Sequence, residues 1–244
     1  MRRHLSLCLL WGVVQASQAG VAIGSFPIPV HVENASTGIF VELTREIALR
    51  TDTEVRLHVV PARRAVDNFV NRSFAGLVPA LDTSFEPGQK WFRTSEAIDC
   101  KEDFIFTLKD KPLLRTLADL QGKRVGITRG YPYAREVTEH SGFLLETAAS
   151  DQANIMKLLT GRLDAFVLDE KTGVRAFERM NALEKMQYPA DSPVSRQDVY
   201  YGFQATPEGR ELADSFSAAL RDMKADGRYQ AITRGVTFAN GCAR

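Results

Sequence analysis

The hydrophobic positions of this chain fall into two alternating patterns. Short apolar runs predict strands at 21–23, 55–60, 75–81, 102–108, 123–128, 163–168 and 199–204. Between them, apolar residues that recur every three or four positions predict helices at 40–48, 62–70, 133–140, 151–160, 171–180 and 208–224. Such alternation is typical of an α/β fold with mostly parallel sheets. The order β-α-β-α-β occurs before residue 82 and again between 123 and 168, which predicts two similar lobes.

The first 19 residues have the features of a secretory signal peptide. Arg2 and Arg3 form a basic start, residues 5–14 are mostly apolar, and 17–19 supply small residues where signal peptidase cuts. We therefore predict cleavage after Ala19 and a periplasmic location. No cysteine stands at the expected cleavage point after the apolar run, which argues against a lipoprotein anchor, and no other run approaches the length of a membrane span.

Composition excludes several classes of protein. The chain has 31 Lys and Arg against 30 Asp and Glu, so it lacks the basic excess expected of a nucleic-acid partner. Its 44% of hydrophobic residues is ordinary for a folded domain and excludes a disordered chain. The motifs G-x-S-x-G, H-E-x-x-H and the P-loop are absent, and the four histidines show no metal-ligand spacing. We therefore expect no enzyme activity, no cofactor and no metal.

Two cysteines remain after the predicted signal peptide, since Cys8 leaves with it. Cys100 and Cys242 form an even pair in an oxidising compartment, which predicts a disulfide between them. A bond between residues 100 and 242 would close a loop that contains more than half of the chain. In the chain-entropy model, such a bond stabilises the fold by roughly 4–5 kcal/mol at most.

Four segments carry a resemblance to a known family. They are TGIFVELTREIA at 37–48, LADLQGKRVG at 117–126, GRLDA at 161–165, and YGF at 201–203 with the helix that ends in MKADGRY at 223–229. In order and spacing they resemble the bacterial extracellular solute-binding proteins of family 3, the periplasmic amino-acid-binding type of ABC transporters. PARRA at 61–65 and RGYPY at 129–133 are similar to motifs of a divergent branch of that family.

The resemblance implies a two-lobed, periplasmic-binding-protein-like (type II) fold. Lobe one would comprise residues 20–103 plus 200–244, and lobe two residues 104–199. Two strand segments, near 103–107 and 199–203, would act as hinges, and the ligand would bind between the lobes. The implied protein is a monomer with a small-molecule ligand and an inner-membrane ABC permease as partners.

The resemblance also indicates ligand-binding residues in lobe two. Asp169 matches the acidic residue that holds the ligand's amino group, and it equally suits the N-cap of the next helix. Arg129 and Tyr131 lie in the loop before a predicted helix, where family members bind the ligand carboxylate. Pro132 has no N–H to offer there, which weakens that cradle. Surface packing is the alternative role for Tyr131.

In lobe one, Phe26 and His31 follow the first strand, where family members present an aromatic wall, and Arg64 is the arginine of the branch motif. A solvated helix face is the alternative for Arg64. Pro87 stands where the family has the arginine that pairs with the ligand carboxylate. Asp82 replaces a hydrogen-bond-donating serine, and an ionised carboxylate only accepts. Asp82 together with Asp169 would favour an amine-bearing ligand, whereas a turn role is the alternative for Asp82.

The function these residues favour is clamping of a small polar solute, amino-acid-like or amine-bearing, for an ABC importer. One alternative is a periplasmic enzyme on the same scaffold, because cyclohexadienyl dehydratases resemble this family. Another is a sensing or accessory binding protein without a permease. Fold alone does not separate these functions.

Overall fold

The computed structural model describes residues 20–237 and 240–242, so the predicted signal peptide lies outside the described residues. The strands are β1 Val21–Ser25, β2 Val55–Val59, β3 Gly76–Ala80, β4 Trp91–Arg93, β5 Asp99–Leu108, β6 Arg124–Thr128, β7 Leu144–Ala148, β8 Ala165–Asp169, β9 Met186–Gln187 and β10 Ser195–Gln204. The helices are α1 Ile39–Arg50, α2 Ala62–Val70, α3 Arg135–Thr138, α4 Asp151–Leu159, α5 Glu170–Arg179, α6 Pro207–Ala225 and α7 Arg228–Thr233.

The strands follow the order β2-β1-β3-β10-β5-β8-β6-β7. Parallel pairs join β1 to β2 and β3, and β6 to β7 and β8. The ten-residue strands β5 and β10 run antiparallel and pair over residues 99–103 and 195–199. They connect the two parallel halves of the sheet path. The predicted α/β fold is confirmed, and the sheet is mixed because these two strands cross between its halves.

Each half has its own apolar core, and we call the halves lobe one and lobe two. The core of lobe one joins β1, β3 and the end of β10 to α1, α6 and α7, while lobe two packs β5, β6 and β8 against α4 and α5.

Helix α6 shows how the sequence pattern of a helix determines its packing. Thr206 caps its start by accepting from the Gly209 N–H (3.1 Å). Its apolar face buries Phe216 against the rings of Tyr201 and Phe203. We estimate that Phe216→Ala costs about 3–5 kcal/mol.

The predicted disulfide between Cys100 and Cys242 is confirmed. Cys100 lies on β5 opposite Asp198 of β10, at the crossing of the two strands. The backbone N–H of Cys242 donates to Oδ1 of Asp198 (2.6 Å). The bond therefore fixes the C-terminal tail to the point where the chain passes between the lobes.

Two predicted features of lobe two differ from the structure. The helix predicted over 133–140 is wrong in extent, because only Arg135–Thr138 is helical. The buried Tyr133 hydroxyl accepts from the Thr128 N–H (3.0 Å), and the Tyr131 N–H donates to the Thr128 carbonyl (3.3 Å), so the chain forms a turn here before the helix begins. Strand β7 was not among the predicted runs, because it forms a sheet edge with Leu144 exposed. Across residues 20–237, no helix combines the length and hydropathy that a membrane crossing requires.

Candidate functional site

A cleft lies between the lobes where the carboxyl ends of several strands meet. It is lined by Phe26, Ile28, His31, Phe40, Pro79, Leu81, Asp99, Cys100, Lys101, Glu102, Tyr131, Pro132, Asp169, Glu170, Lys171, Thr172 and Val199. Its volume is about 80 Å³, and one water needs roughly 10–15 Å³ of such space. The cleft therefore has room for several waters or one small solute. This is where α/β sheets usually place ligands.

Asp169 is the last residue of β8 and the N-cap of α5, and it also lines the cleft. Its Oδ1 accepts from the Thr172 N–H (3.0 Å), which confirms the N-cap role. Among the described residues, its Oδ2 has no hydrogen-bond or ion-pair partner. Thr172 lies in the first turn of the helix, and within the described residues its buried Oγ1 has no partner either. Both residues line the cleft, so the start of α5 places a partly unpaired carboxylate and an unpaired hydroxyl beside it.

Acidic groups outnumber basic groups along the cleft. Its four carboxylates belong to Asp99, Glu102, Asp169 and Glu170, and its lysines are Lys101 and Lys171. Because each lysine contacts a carboxylate, the fixed positive charge is compensated within the protein. The cleft is therefore a cation-attracting environment.

Each of the other three carboxylates already has a partner. Oδ2 of Asp99 lies 3.1 Å from Nε2 of the buried His31 and 3.5 Å from Nζ of Lys171. Glu102 pairs with Arg196 (2.8 Å). Glu170 accepts from the Tyr188 hydroxyl (2.7 Å). These contacts fix the three carboxylates in place around Asp169.

Aromatic side chains form the apolar walls of the cleft. Phe26 and Phe40 are buried on the side of lobe one, and Tyr131 stands on the side of lobe two. The Tyr131 hydroxyl donates to Oδ2 of Asp151 (3.2 Å). Desolvation, with the nearby charges of Asp151 and Asp169, raises the pKa of Tyr131 far above its usual range. Tyr131 is therefore a neutral aromatic surface whose donor is already in use.

A polar cluster lies behind the acidic wall. Asp103 of β5 is fully buried, forms an ion pair with Lys101, and accepts from the Ser195 hydroxyl (2.8 Å). Burial raises the pKa of Asp103, while Lys101 opposes that rise. Nζ of Lys101 also lies 5.1 Å from the centre of the Tyr133 ring. Lys101 is therefore held between Asp103 and Tyr133.

Three of the six predicted ligand-binding residues line the cleft, namely Phe26, Tyr131 and Asp169. The side chains of Arg64, Asp82 and Arg129 do not belong to that lining. Asp82 is 74% exposed and pairs with Arg93 (3.1 Å), and Arg64 and Arg129 are exposed. A binding role for these three residues stays a prediction that this arrangement does not support.

Other lining residues were not among the predicted site residues. Thr172 and Glu170 directly follow Asp169, so the start of the predicted helix was a signal that would have included them. Asp99 carried no such signal, because its partners His31 and Lys171 are distant in sequence.

The lobes contact each other around the cleft. Arg179 of α5 lies 3.6 Å from Glu33 of lobe one, and Nζ of Lys171 is near Asp99. The Thr83 hydroxyl of lobe one donates to the side-chain amide of Gln197, which in turn donates to the Pro132 carbonyl (3.0 Å). The contacts of Arg179, Lys171 and Thr83 therefore join the two lobes. Within the described residues, no group of three or more His, Cys, Asp and Glu is arranged to hold a metal ion.

Comparison with known proteins gives distant relatives of similar length. No family model matches the chain. It is 24% identical over 245 residues to the histidine-binding periplasmic protein of Salmonella typhimurium, covering 94% of both chains. It is 28% identical over 182 residues to the L-arginine-binding protein of Pseudomonas aeruginosa, covering 67% of this chain and 70% of the relative.

Solved structures share the fold. An ancestral arginine-binding protein bound to arginine superposes with a TM-score of 0.72 at 18% identity, covering 88% of this chain and 96% of that one. Two-lobed neighbours of this kind confirm the predicted fold class. The chain is thus similar, at low identity, to histidine- and arginine-binding proteins of the periplasmic amino-acid-binding type that its sequence motifs resemble.

Proposed function

We propose that this protein is a periplasmic binding protein that closes its two lobes around a small amine-bearing solute. The observation that carries the proposal is the start of α5, where Asp169 and Thr172 line the cleft and, within the described residues, Oδ2 of Asp169 and Oγ1 of Thr172 have no partner. An ammonium group has three N–H donors and no acceptor, so it matches two neighbouring acceptors. The charge-assisted bond to a carboxylate is the stronger of the two.

The charge of the cleft supports a cationic solute over an anionic one. An anion would approach four carboxylates, whereas a cation is attracted by them. Phe26 and Tyr131 supply apolar faces for the body of the solute, and an aromatic face also attracts a cation. The relatives are named for histidine and for arginine; the arginine side chain is cationic, and the histidine side chain becomes cationic below about pH 6.5.

The proposed mechanism is hinge closure. Lobe one is proposed to comprise residues 20–103 plus 200–244, and lobe two residues 104–199, with β5 and β10 as the connections that bend. A solute held between lobes stabilises the closed form by as much as its affinity differs between the two forms. Export through the predicted signal peptide and delivery to an ABC importer complete the proposal.

A thermal-shift screen of the purified protein without its predicted signal peptide tests this function. The panel contains arginine, lysine, ornithine, histidine and simple amines, with glutamate and leucine as controls. A true solute at about 1,000 times its Kd adds about 4 kcal/mol, which raises the melting temperature by roughly 8–16 °C. A panel in which no cationic member raises the melting temperature contradicts the proposal.

Uptake and turnover experiments separate the transport role from the other functions. Cells that lack the gene should lose uptake of the labelled solute if an importer depends on this protein. Normal uptake would instead favour a sensing or accessory role. Conversion of prephenate by the purified protein would favour the dehydratase-like alternative.

A further inference from the structure

We infer that the solute is an amine that has no carboxylate beside its amino group, such as the decarboxylated counterpart of a cationic amino acid. The inference rests on the proposed function and makes its ligand class narrower. It follows from what the cleft offers to each end of an α-amino acid: unpaired acceptors for the ammonium, and for the carboxylate two lysines and a Tyr131 loop whose donors already have protein partners.

The cations that line the cleft are engaged by the protein itself. Lys101 is held by the buried carboxylate of Asp103 and lies over the Tyr133 ring. Lys171 contacts Asp99. No arginine belongs to the lining formed by residues 20–237, and Pro87 lies in an exposed turn outside it. A solute carboxylate that approached either lysine would have to compete with Asp103 or Asp99 for it.

The backbone N–H groups of residues 131–133, on the wall that contains Tyr131, are also in use or missing. The Tyr131 N–H donates to the Thr128 carbonyl (3.3 Å), and the Tyr133 N–H donates to the Tyr131 carbonyl (3.1 Å). Pro132 has no N–H, and its carbonyl accepts from Gln197. The Tyr131 hydroxyl is bound to Asp151. This wall therefore cannot satisfy a carboxylate without breaking internal hydrogen bonds.

The start of α5 is also an unfavourable place for the carboxylate of a solute. A helix N-terminus attracts anions, but here the carboxylate of Asp169 already caps it and accepts from Thr172. A second carboxylate placed there would meet Asp169 and Glu170. The carboxylates of Asp169 and Glu170 attract an ammonium group instead.

Isothermal titration calorimetry at pH 7 with four matched pairs tests the inference. The pairs are arginine with agmatine, lysine with cadaverine, ornithine with putrescine, and histidine with histamine. In every pair in which either member binds, we expect the amine to bind at least about tenfold more tightly, because an unmatched carboxylate weakens binding through repulsion and desolvation. An amino acid that binds within tenfold of its amine overturns the inference and leaves the proposed function intact. Absence of binding by all eight compounds overturns both.

The amides of the same amino acids separate charge from size. Argininamide and lysinamide keep the carbon skeleton of the amino acid but have no negative charge. We expect each amide to bind within a fewfold of the amine and at least tenfold more tightly than the amino acid. An amide as weak as its amino acid would show that size and not charge excludes the carboxylate, which would contradict the electrostatic argument.

Discussion

Asp169 of β8 stands directly opposite Asp103 of β5 in the antiparallel register, and the two carboxylates have opposite surroundings. Asp103 is fully buried between Lys101 and Ser195. Asp169 is partly exposed, lines the cleft, and has one oxygen without a partner among the described residues. Asp103 therefore holds Lys101 in place, and the role we propose for Asp169 is to present negative charge to a solute.

Thr172→Val tests whether the orphan hydroxyl serves binding. Valine has nearly the same shape but no hydroxyl, and the Oγ1 of Thr172 is buried without a partner. We expect the ligand-free protein to keep or gain stability, by up to about 1 kcal/mol, because an unsatisfied polar group is removed. Solute affinity should fall about three- to tenfold, the effect of one lost hydrogen bond. Lower stability with unchanged affinity, measured by urea unfolding and calorimetry, would assign the hydroxyl a structural role.

Tyr131 should act through its ring and not through its hydroxyl. The hydroxyl is bound to Asp151, so Tyr131→Phe keeps the wall of the cleft and should change solute affinity less than threefold. Tyr131→Ala removes the wall and should weaken binding at least about tenfold, because a large aromatic contact is lost. Calorimetry on both variants checks this. Equal losses in the two variants would show that the hydroxyl is the essential group.

The disulfide should matter more for stability than for binding. The bond between Cys100 and Cys242 closes a loop with a sequence separation of 142. Replacing both cysteines with alanine should lower the free energy of unfolding by up to roughly 4–5 kcal/mol and the melting temperature by about 8–20 °C. Solute affinity should stay within threefold of the original value. A melting temperature that is unchanged in calorimetric scans would show that the tail is held by other contacts.

Acid sensitivity should arise in part from an ion-pair cluster on the outside of lobe one. Glu46 of α1 pairs with Arg50 and Arg228, each at 2.9 Å, and the Arg50 hydrogen bond is the largest cause that lowers the Glu46 pKa below 4.5. A lowered folded-state pKa gives stability that is present above the unfolded pKa and is lost as the pH falls through the folded value. Glu46→Gln should therefore cost about 0.5–1 kcal/mol at pH 7 and nearly nothing well below pH 4.

Urea unfolding of the original protein and of Glu46→Gln at pH 7 and pH 3 measures this difference. A gap between the two proteins that persists at pH 3 would contradict the assignment. Asp82→Asn is a suitable control, because Asp82 is exposed and pairs only with the half-exposed Arg93. Its effect should stay within about 0.5 kcal/mol at both pH values.

Sequence patterns predicted the regular elements well where local periodicity and burial agree. Helix α2 begins and ends at the predicted residues because its apolar face and the preceding Pro61 both mark it. The strands β5 and β10 are longer than predicted. Their extra residues include the polar Asp99 and Ser195, which are buried only because the two strands pair with each other. Such pairing is a tertiary effect that the pattern of one strand does not contain.

Part of the cleft lining could likewise be predicted from the sequence. Phe26 and Asp169 could be placed because they end or follow strands, and strand ends meet at the ligand side of an α/β sheet. The contacts of Asp82 and Asp99 could not be placed. Asp82 turns to Arg93, whereas Asp99 meets His31 and Lys171 from other elements. Which charged residues form ion pairs depends on tertiary contacts between residues that are distant in sequence.

The most direct test of the account compares Asp169→Asn with the original protein. Asparagine caps a helix as well as aspartate does, so the variant should fold with a melting temperature within a few degrees of the original. It removes the negative charge that the account assigns to the solute's ammonium group. Calorimetry at pH 7 with agmatine, cadaverine, putrescine and histamine should show binding to the original protein. The same titrations should show at least about 30-fold weaker binding to the variant, the effect of losing one partner of a buried charged pair. Binding of these amines with equal affinity to both proteins would contradict the central claim.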